Sequence, residues 1–553
     1  MVIRALVASL AVLCLIFPTQ HTALGEKPSH PAQAAAGQPA TQNSDWPHFG
    51  NTTDQTRYST LNQITTANVS KLGIAWTIQQ GAHQVQWETD PVVVGGVMYL
   101  TTNTDQVIAL DAATGKELWR YTPNVSFMQL LTGGGGVPVN RGVEVAGGRV
   151  FLLTYDAQLI ALDAHTGHHI WSSRVADAGV GYNEPSPPTY WNGRLFVGSA
   201  EGDSGLRGFV AAYDASSGRQ LWRFYTVPAP GHSWMPSQGA HGGGDVWMPT
   251  TIDAQTGILY FGTGNPSPDL VNNNRPGCNP WVDATVALDA RTGKFLWGRT
   301  QVCPDVWDYD SGQTPILLQV RQNGRSIRAV GEGNKSGVYW IFDARTGATL
   351  AKSPPLAPQS GPRSVPNQKG VYVCPGKFGG LDYSPPAYSP KTGMIYLPGV
   401  DLCMVYKQSS AQAIKSHVPG APDLGGTAEP GKGPARGFMA AIDAGSGRIK
   451  WRLPMPKPMI GGTLATAGNL VFSGSDDGHL YAFDAATGKV LWHPDLGLGF
   501  GAAPITYQIH GVQYVAIAAG GSGAAPYTGA RMGGSLAVFK LGGKPITRLP
   551  AGA

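Results

Sequence analysis

The sequence predicts an all-β fold, and both its composition and an internal repeat support this prediction. Of 553 residues, 75 are Gly and 43 are Pro, 42% are hydrophobic and only 14% are charged. This profile is too apolar for a disordered chain and suits many short strands joined by tight turns. The formal net charge of +5 is small for this length. Because no basic run or stripe occurs either, we expect no nucleic-acid partner.

The internal repeat reads strand, turn, strand. An apolar stretch leads to Asp, the pattern Asp-x-x-x-Gly makes the turn, and a second apolar strand ends at Trp. The aspartate can bond the turn amides, and glycine tolerates the positive φ of such a turn. Copies that end in Trp begin at Ala109, Ala161, Ala212, Ala287, Ala441 and Ala482, and degenerate copies begin at Thr251, Ile341 and Ala387.

The spacing of the copies predicts the architecture. Asp111, Asp163 and Asp214 of the first three copies follow one another at intervals of roughly 50 residues, which suits a four-stranded sheet with one long loop. Sheets of this kind, arranged radially, form a β-propeller in which neighbouring sheets cover each other's faces. Counting Trp76 and the copy at Ile341, we predict eight blades, with seven as the alternative. We expect the repeat tryptophans to lock one blade to the next.

The N-terminal residues predict export. Residues 1–25 combine one Arg, an apolar run over 5–17 and small residues near their end, which is the pattern of a secretory signal peptide. The run is short for a membrane span, and Leu13 before Cys14 does not fit a lipoprotein cleavage site. We therefore predict a signal peptide at 1–25, a flexible leader at 26–44, a single propeller at 45–545 and a tail at 546–553, in a periplasmic protein without a membrane span.

Four cysteines follow the predicted signal peptide. An even number in an exported chain indicates two disulfides, for which three pairings are possible. Four free buried thiols are the alternative, and a zinc site is disfavoured because no CxxC pair occurs. We favour the pairing of sequence neighbours, Cys278–Cys303 and Cys374–Cys403.

Four segments outside the repeats carry polar side chains that turns alone do not require. DVWDYDSG (305–312) places three carboxylates and two large aromatic residues within six positions. The others are SAEGDSGLRG (199–208), GGGDVW (242–247) and GTGNPSPD (262–269). Asp and Asn side chains supply hard oxygen ligands, which suit Ca²⁺ or another hard cation. Each segment taken alone is also compatible with an ordinary turn.

Taken together, these segments give the chain a resemblance to a known family. From Asp45 to Gly520 it resembles the alcohol dehydrogenases that depend on pyrroloquinoline quinone (PQQ), the family of methanol dehydrogenase. The specific motifs are GTGNPSP, WDYD, GGTLATAGNLVFSGSDDGHLYAFDAATGKVLW and the spacing of Cys374 and Cys403. The resemblance implies an eight-bladed propeller with PQQ on its axis that oxidises an alcohol to an aldehyde or ketone. Because the sequence has no CxxCH haem motif, we expect electrons to pass to a separate cytochrome c.

The resemblance also implies roles for individual residues. Asp308 matches the catalytic aspartate, the base that takes the hydroxyl proton, and it also matches a metal ligand, as do Asp203 and Asn265. Asp310 matches a position that is often Ala or Ser in calcium enzymes and Asp in lanthanide enzymes, so the expected ion is Ca²⁺ or a lanthanide. The residues that match cofactor contacts are Glu88, Arg141, Gly202, Trp247, Lys335 and Asp382.

The chemistry of PQQ agrees with these residue types. A flat quinone with three carboxylates requires a stacking surface, here Trp247, and positive groups, here Arg141 and Lys335. A metal ion polarises a quinone carbonyl, and the cations stabilise the oxygen charge that develops on reduction. Beside a cation, Asp308 should stay ionised and can deprotonate the alcohol as hydride leaves its carbon. The extra carboxylate of Asp310 favours a trivalent ion over Ca²⁺.

The chain departs from the family pattern around the predicted cofactor. Gly135 and Gly136 stand where the family has two adjacent cysteines, so we expect a different cover over the quinone. Asp203 replaces a Glu and reaches one methylene less far, which makes Glu201 an alternative ligand.

Two further differences affect the predicted cofactor contacts. Ile460 stands where the family has Trp, and the family's cofactor-contacting Asn falls on Asp382 or Ser384. Two alternative functions remain open: a non-catalytic propeller scaffold of the outer-membrane assembly type, and a PQQ dehydrogenase for sugars or polyols. The predicted site residues argue against the scaffold, which has no use for them. The sequence has no motif that indicates the oligomeric state.

Overall fold

The computed structural model describes residues 44–80, 86–125, 138–229, 242–273, 275–360, 364–411, 413, 422 and 424–550. The predicted signal peptide (1–25), nearly all of the predicted leader (26–44) and the Gly135–Gly136 pair lie outside the described residues. The boundaries predicted for the propeller and its tail remain predictions.

The described part of the chain contains eight antiparallel sheets of four strands, one of which gains a fifth, parallel strand. This number equals the number of blades that the repeats predict. The first four sheets contain Val92–Val94, Val97–Thr101, Val107–Asp111 and Glu117–Tyr121; Glu144–Ala146, Arg149–Leu153, Gln158–Asp163 and His169–Arg174; Thr189–Trp191, Arg194–Gly198, Phe209–Asp214 and Gln220–Tyr225; and Thr251–Asp253, Ile258–Gly262, Ala284–Asp289 and Phe295–Thr300.

The other four sheets continue the same up-and-down order, except that the eighth pairs strands from both ends of the described chain. In it, Leu72–Gln79 pairs with Ser535–Leu541, so the N-terminal strand completes a sheet of C-terminal strands. The four sheets contain Ile316–Gln322, Arg325–Gly333, Tyr339–Asp343 and Thr349–Lys352; Ala387–Ser389, Met394–Asp401, Arg436–Asp443 and Ile449–Met455; Gly461–Thr466, Leu470–Gly474, Leu480–Asp484 and Val490–Trp492, with Tyr58–Ser59; and Leu72–Gln79, Ile505–Ile509, Val512–Ala519 and Ser535–Leu541.

The burial of a strand depends on its place within its sheet. In the first sheet, Val107–Asp111 is buried at its first four positions, whereas Glu117–Tyr121 has no fully buried residue. A strand covered on both faces by neighbouring sheets reads as a continuous apolar run, while an outer strand can be polar. This difference explains why the repeat has an apolar strand before the turn and a mixed one after it.

The repeat tryptophans join consecutive sheets. A Cβ atom on Gly167, in the turn of the second sheet, would lie 2.6 Å from the Trp119 indole of the first, and the Trp119 indole N–H donates to the Ala164 carbonyl. Trp222 of the third sheet packs on Gly293 of the fourth in the same way. Only glycine leaves room for the ring here, which accounts for the Gly of the repeat. Similar Trp–Gly contacts are Trp76–Gly115, Trp171–Gly218, Trp297–Gly347 and Trp451–Gly488.

The repeat aspartates form the turns, as their position predicts. Asp111 Oδ1 accepts from the backbone N–H groups of Ala113 and Thr114, at 3.1 and 2.8 Å. Asp163 and Asp289 accept equivalent bonds in their own turns.

Both predicted disulfides are present, Cys278–Cys303 and Cys374–Cys403. The alternatives of free thiols and of a zinc site are therefore wrong. The bridges close loops of 25 and 29 residues, and the second loop carries Lys377, Asp382 and Tyr383 of the site described below.

The described residues form few helices, all of them short. The described part has three 3-10 turns, Val69–Lys71, Ala178–Val180 and Gly202–Ser204, and one α-helix, Ala525–Thr528. Among the described residues, no helix has the length and apolar character needed to cross a membrane. The propeller prediction is thus confirmed in its all-β character, and loops between strands supply the functional segments.

Two small sheets organise those loops. Gly242–Gly243 pairs with Pro266–Ser267, which brings two of the polar segments together. A second small sheet contains Val371–Val373, Met404–Gln408 and Gly426–Pro430.

Candidate active site

Three of the four polar segments meet because glycine allows their backbones to touch. Gly208 N donates to Gly243 O at 3.0 Å, and Gly244 N donates to Asn265 O at 2.8 Å. A Cβ atom on Gly243 would lie 2.3 Å from the Asn265 carbonyl oxygen, and the φ of Gly243 is +96°. The fourth segment joins them through Asp310, whose Oδ1 accepts from the Asn265 backbone N–H at 2.7 Å.

A group of three carboxylates lies where these segments meet. One oxygen each of Asp203, Asp269 and Asp308 lies within 4.8 Å of the other two. Asp269 and Asp308 are buried and Asp203 is half-buried. We call this group the carboxylate cluster.

Sequence reasoning found two members of the carboxylate cluster and missed the third. Asp203 and Asp308 are predicted ligands, whereas Asp269 went unassigned. The available signal was its place at the end of the same Gly/Pro-rich segment as Asn265. Both carboxylate oxygens of Asp269 are buried without a hydrogen-bond partner among the described residues.

Two lysines face the carboxylate cluster. Lys335 Nζ lies 2.6 Å from Asp308 Oδ1 and 2.7 Å from Asp310 Oδ2. Lys377 Nζ lies 3.4 Å from Asp308 Oδ2. Lys335 is predicted from the family resemblance, but Lys377, from CPGKFGG, is not. Nothing in that turn-like motif distinguishes its lysine from a surface residue.

Burial and crowding shift the ionisation of these groups. Desolvation, assisted by repulsion from Asp308, raises the pKa of Asp203 to about 6. Desolvation followed by repulsion from Asp203 and Asp308 raises the pKa of Asp269 well above its usual range. The pKa of Lys377 is also raised: desolvation acts against the charged form, and the attraction of Asp308, Asp203 and Asp269 outweighs it. The raised pKa values show that several carboxylates are crowded together in a buried site. A cation bound there would stabilise their ionised forms.

The three aspartates of the DVWDYDSG segment have different structural roles. Asp305 accepts from the N–H groups of Trp307 and Tyr309, each at 3.0 Å, and therefore builds the loop itself. Asp308 then stands at φ +63°, a left-handed conformation that is unusual for a residue other than glycine. Tyr309 is buried, and its hydroxyl donates to Pro375 O at 2.5 Å.

Three of the predicted cofactor residues, Glu88, Arg141 and Trp247, form a second group. Arg141 Nη2 lies 2.8 Å from Glu88 Oε2. Its guanidinium carbon lies 5.2 Å from the centroid of the Trp247 ring and 5.0 Å from that of Tyr383. Trp247 is half-buried, with its other side close to Gly312. Sequence reasoning did not assign Tyr383.

The structure separates the alternatives left open by the sequence. Glu201 accepts from Asn183 Nδ2 at 2.6 Å and from Ser204, and it lies outside the carboxylate cluster, so Asp203 is the better candidate ligand. Ser384 Oγ donates to the carbonyl of Ile460 at 2.7 Å and is committed to packing.

The family resemblance also assigns Asp382 and Gly202 to the cofactor. Asp382 is buried, and desolvation raises its pKa to about 6 against the attraction of Lys335. A Cβ atom on Gly202 would lie 2.5 Å from Asp245 Oδ1, so this backbone must be glycine to pack here. Asp245 is a second buried carboxylate that the sequence did not single out.

The residues present fit both the metal ion and the PQQ that the family resemblance implies. The two unpartnered oxygens of Asp269, beside those of Asp203 and Asp308, form an all-oxygen donor set suited to a hard cation. Arg141 Nε and Nη1 are buried without hydrogen-bond partners among the described residues, as expected of a guanidinium that binds an anionic ligand. An aromatic ring beside that cation suits a flat, acidic quinone.

Comparison with known proteins identifies relatives of this chain. The family model for the glucose, ethanol and alcohol dehydrogenase β-propeller domain that carries PQQ matches residues 46–353 and 353–515. A quinohemoprotein alcohol dehydrogenase of Comamonas testosteroni is 33% identical over 554 residues, covering 92% of this chain and 78% of the relative.

Solved structures give the same result. A quinohemoprotein alcohol dehydrogenase, ADHIIG, of Pseudomonas putida HK5 superposes with a TM-score of 0.84 at 31% identity, covering 92% of this chain and 82% of that one. A europium-containing methanol dehydrogenase has a TM-score of 0.81 at 30% identity, covering 90% and 98%. Fold and site therefore define a propeller oxidoreductase. The chain belongs to the family of PQQ-dependent alcohol dehydrogenases, which confirms the predicted enzyme class.

Proposed function

We propose that this protein oxidises an alcohol to an aldehyde or ketone, with PQQ beside Trp247 and Arg141 and with Ca²⁺ or a lanthanide held at the carboxylate cluster. The observation that carries the proposal is the position of Asp308. It is buried, it belongs to the cluster, and it contacts the ammonium groups of Lys335 and Lys377. When bound, the quinone accepts hydride and the metal provides Lewis acidity.

The residues of the chain would divide the remaining work. Asp308 is the base that takes the hydroxyl proton, since its buried carboxylate is held in place by the ammonium groups of Lys335 and Lys377. Arg141 would bind a carboxylate or oxygen of the quinone, and Glu88 would hold that guanidinium in place. Asp203, Asn265, Asp308 and Asp310 are the proposed ligands, and Gly202, Lys335 and Asp382 the further cofactor contacts.

The first test is cofactor loading. The purified protein is mixed with PQQ and either Ca²⁺ or La³⁺, excess is removed, and quinone absorbance is recorded together with dye-linked oxidation of primary alcohols, secondary alcohols, polyols and sugars. We expect retained quinone and turnover of alcohols. Absence of retained quinone with both ions would overturn the proposal, and preference for sugars would replace the substrate class.

Asp308→Asn tests the assigned base. It should retain quinone and lower kcat by about 10²–10⁴-fold, the usual contribution of a general base. The exposed Glu117→Gln change serves as the control. A kcat close to that of the wild type would remove Asp308 from the mechanism.

The destination of the electrons and of the protein belong to the same proposal. With no CxxCH motif in the sequence, we propose a separate c-type cytochrome as acceptor, and the N-terminal pattern supports export to the periplasm. Cell fractionation and N-terminal sequencing of the exported protein test the location. Reduction of a purified c-type cytochrome by loaded enzyme and alcohol tests the acceptor.

A further inference from the structure

Asp269 has a buried carboxylate that receives no hydrogen bond from any described residue. Its side chain has 0% exposure, and neither Oδ1 nor Oδ2 has a hydrogen-bond partner among the described residues. A carboxylate stripped of water and left without donors is strongly disfavoured unless it is neutralised or bound to a cation. The role proposed for PQQ does not require it.

Arg275 and Lys377 both interact electrostatically with the Asp269 carboxylate, but neither donates a hydrogen bond to it. Arg275 Nη2 donates to the backbone carbonyls of Pro268, Asp269 and Asp305, at 2.9, 3.3 and 3.0 Å. The guanidinium therefore holds the backbone of this segment and leaves the Asp269 carboxylate without a hydrogen bond. Lys377 contacts Asp308 at 3.4 Å.

The backbone around Asp269 fixes where its carboxylate stands. Besides the bonds to Arg275, Leu270 N donates to Leu424 O at 2.9 Å, and Gln408 Nε2 donates to Leu270 O at 2.7 Å. The orphaned carboxylate is thus held within 4.8 Å of oxygens of Asp203 and Asp308. Such preorganisation is typical of a binding group and unnecessary for a filler of the core.

We propose that Asp269 is a further ligand of the metal at the carboxylate cluster, and that the additional charge makes the site selective for a trivalent over a divalent cation. This inference rests on the metal site of the proposed function and extends its ligand set. The three carboxylates of the cluster could all contact one cation, and Asp310 lies close by. Their combined negative charge exceeds the charge of Ca²⁺, and burial strengthens its effect. Hard trivalent lanthanide ions are the class of cation that suits this donor set.

The test measures cation binding directly, on the full exported chain freed of cations. Tb³⁺ is added with and without PQQ, its tryptophan-sensitised luminescence is followed, and bound Tb³⁺ is displaced with La³⁺ or Ca²⁺. For the wild type we expect displacement by La³⁺ at far lower concentration than by Ca²⁺. Asp269→Asn, which keeps the size of the side chain, should weaken Tb³⁺ binding at least tenfold and narrow the La³⁺ over Ca²⁺ preference.

A matched control is available in Asp283. It is equally buried and has two unpartnered oxygens, but it lies outside the carboxylate cluster. Asp283→Asn should therefore bind Tb³⁺ like the wild type, and thermal unfolding without cations verifies that all variants fold. If Asp269→Asn binds like the wild type while Asp308→Asn is weakened, Asp269 is a buried neutral acid and only this inference fails. If the wild type binds no cation, the metal site of the proposed function fails with it.

Discussion

The ammonium nitrogen of Lys335 lies 2.6 Å from Oδ1 of Asp308, and the same nitrogen lies 2.7 Å from Oδ2 of Asp310. One cation therefore bridges the proposed base and the carboxylate two residues further on. This contact fixes the direction of the Asp308 carboxylate and leaves its other oxygen facing Lys377. The proposed base is therefore held in one orientation before any substrate arrives.

Lys335→Met should lower kcat while the protein still folds and retains quinone. Loss of the bridging cation removes the electrostatic support of Asp308 and of the quinone oxygens, so kcat should fall by about 10²–10³-fold. The exposed Lys294→Met change is the matched control. Steady-state kinetics on enzyme of measured quinone content gives the answer, and a kcat within threefold of the wild type would contradict the assignment.

Lys377→Gln should strengthen cation binding. The positive charge of Lys377 lies beside the carboxylate cluster and repels an incoming metal ion, so its removal should tighten Tb³⁺ binding by about tenfold or more. Lys369→Gln, an exposed lysine of the same segment, should change nothing. Weaker binding by Lys377→Gln would instead show that this lysine orients Asp308.

Gly293→Ala tests the contact between consecutive sheets. The added methyl group would lie 2.7 Å from the Trp222 ring, and the residue has φ +72°. We expect a loss of about 2–4 kcal/mol in the free energy of unfolding, from overlap and left-handed strain combined. Gly393→Ala has a similar φ of +66° but open space around the position, so it should lose only about 1–2 kcal/mol. Equal losses in chemical denaturation would show that the Trp–Gly contact does not matter.

Removal of the Cys374–Cys403 bridge should destabilise the protein. The bridge closes a loop of 29 residues, for which the entropy of the unfolded chain predicts a contribution of about 3–4 kcal/mol. The double change Cys374→Ala and Cys403→Ala should lower the free energy of unfolding by this amount, and the corresponding pair at Cys278 and Cys303 by a similar amount. A loss below about 1 kcal/mol would mean that the bridge adds little constraint.

Asp105 should make stability depend on pH. Desolvation raises its pKa to about 7, although Tyr155 N and Asn140 Nδ2 donate to it. Between the unfolded pKa of about 4 and the folded value, the folded state holds one more proton, so the free energy of unfolding falls as pH rises, by about 1.4 kcal/mol per pH unit. Asp105→Asn should remove this component. Urea unfolding at about pH 5 and about pH 7 measures the slopes, and parallel slopes for variant and wild type would refute the assignment.

Much of the candidate site was predictable from the sequence because its chemistry is concentrated in short segments. GTGNPSPD and DVWDYDSG each bring unusual residues into a Gly- or Pro-rich loop, and Asp308 and Asn265 could be singled out there. Asp269 and Lys377 escaped because their importance depends on distance. Each is an ordinary loop residue until the fold brings it to Asp308.

By itself, the sequence determined the all-β repeat architecture, the two disulfides, the tryptophan contacts between sheets and the segments that hold the site, because each depends on local patterns or on spacing along the chain. Only the tertiary structure decided which side chains converge. It placed Asp203 rather than Glu201 in the carboxylate cluster, committed Ser384 to packing, and left Asp269 without a partner. The reason is physical: burial and charge compensation arise from loops far apart in the chain, and no single loop carries that information.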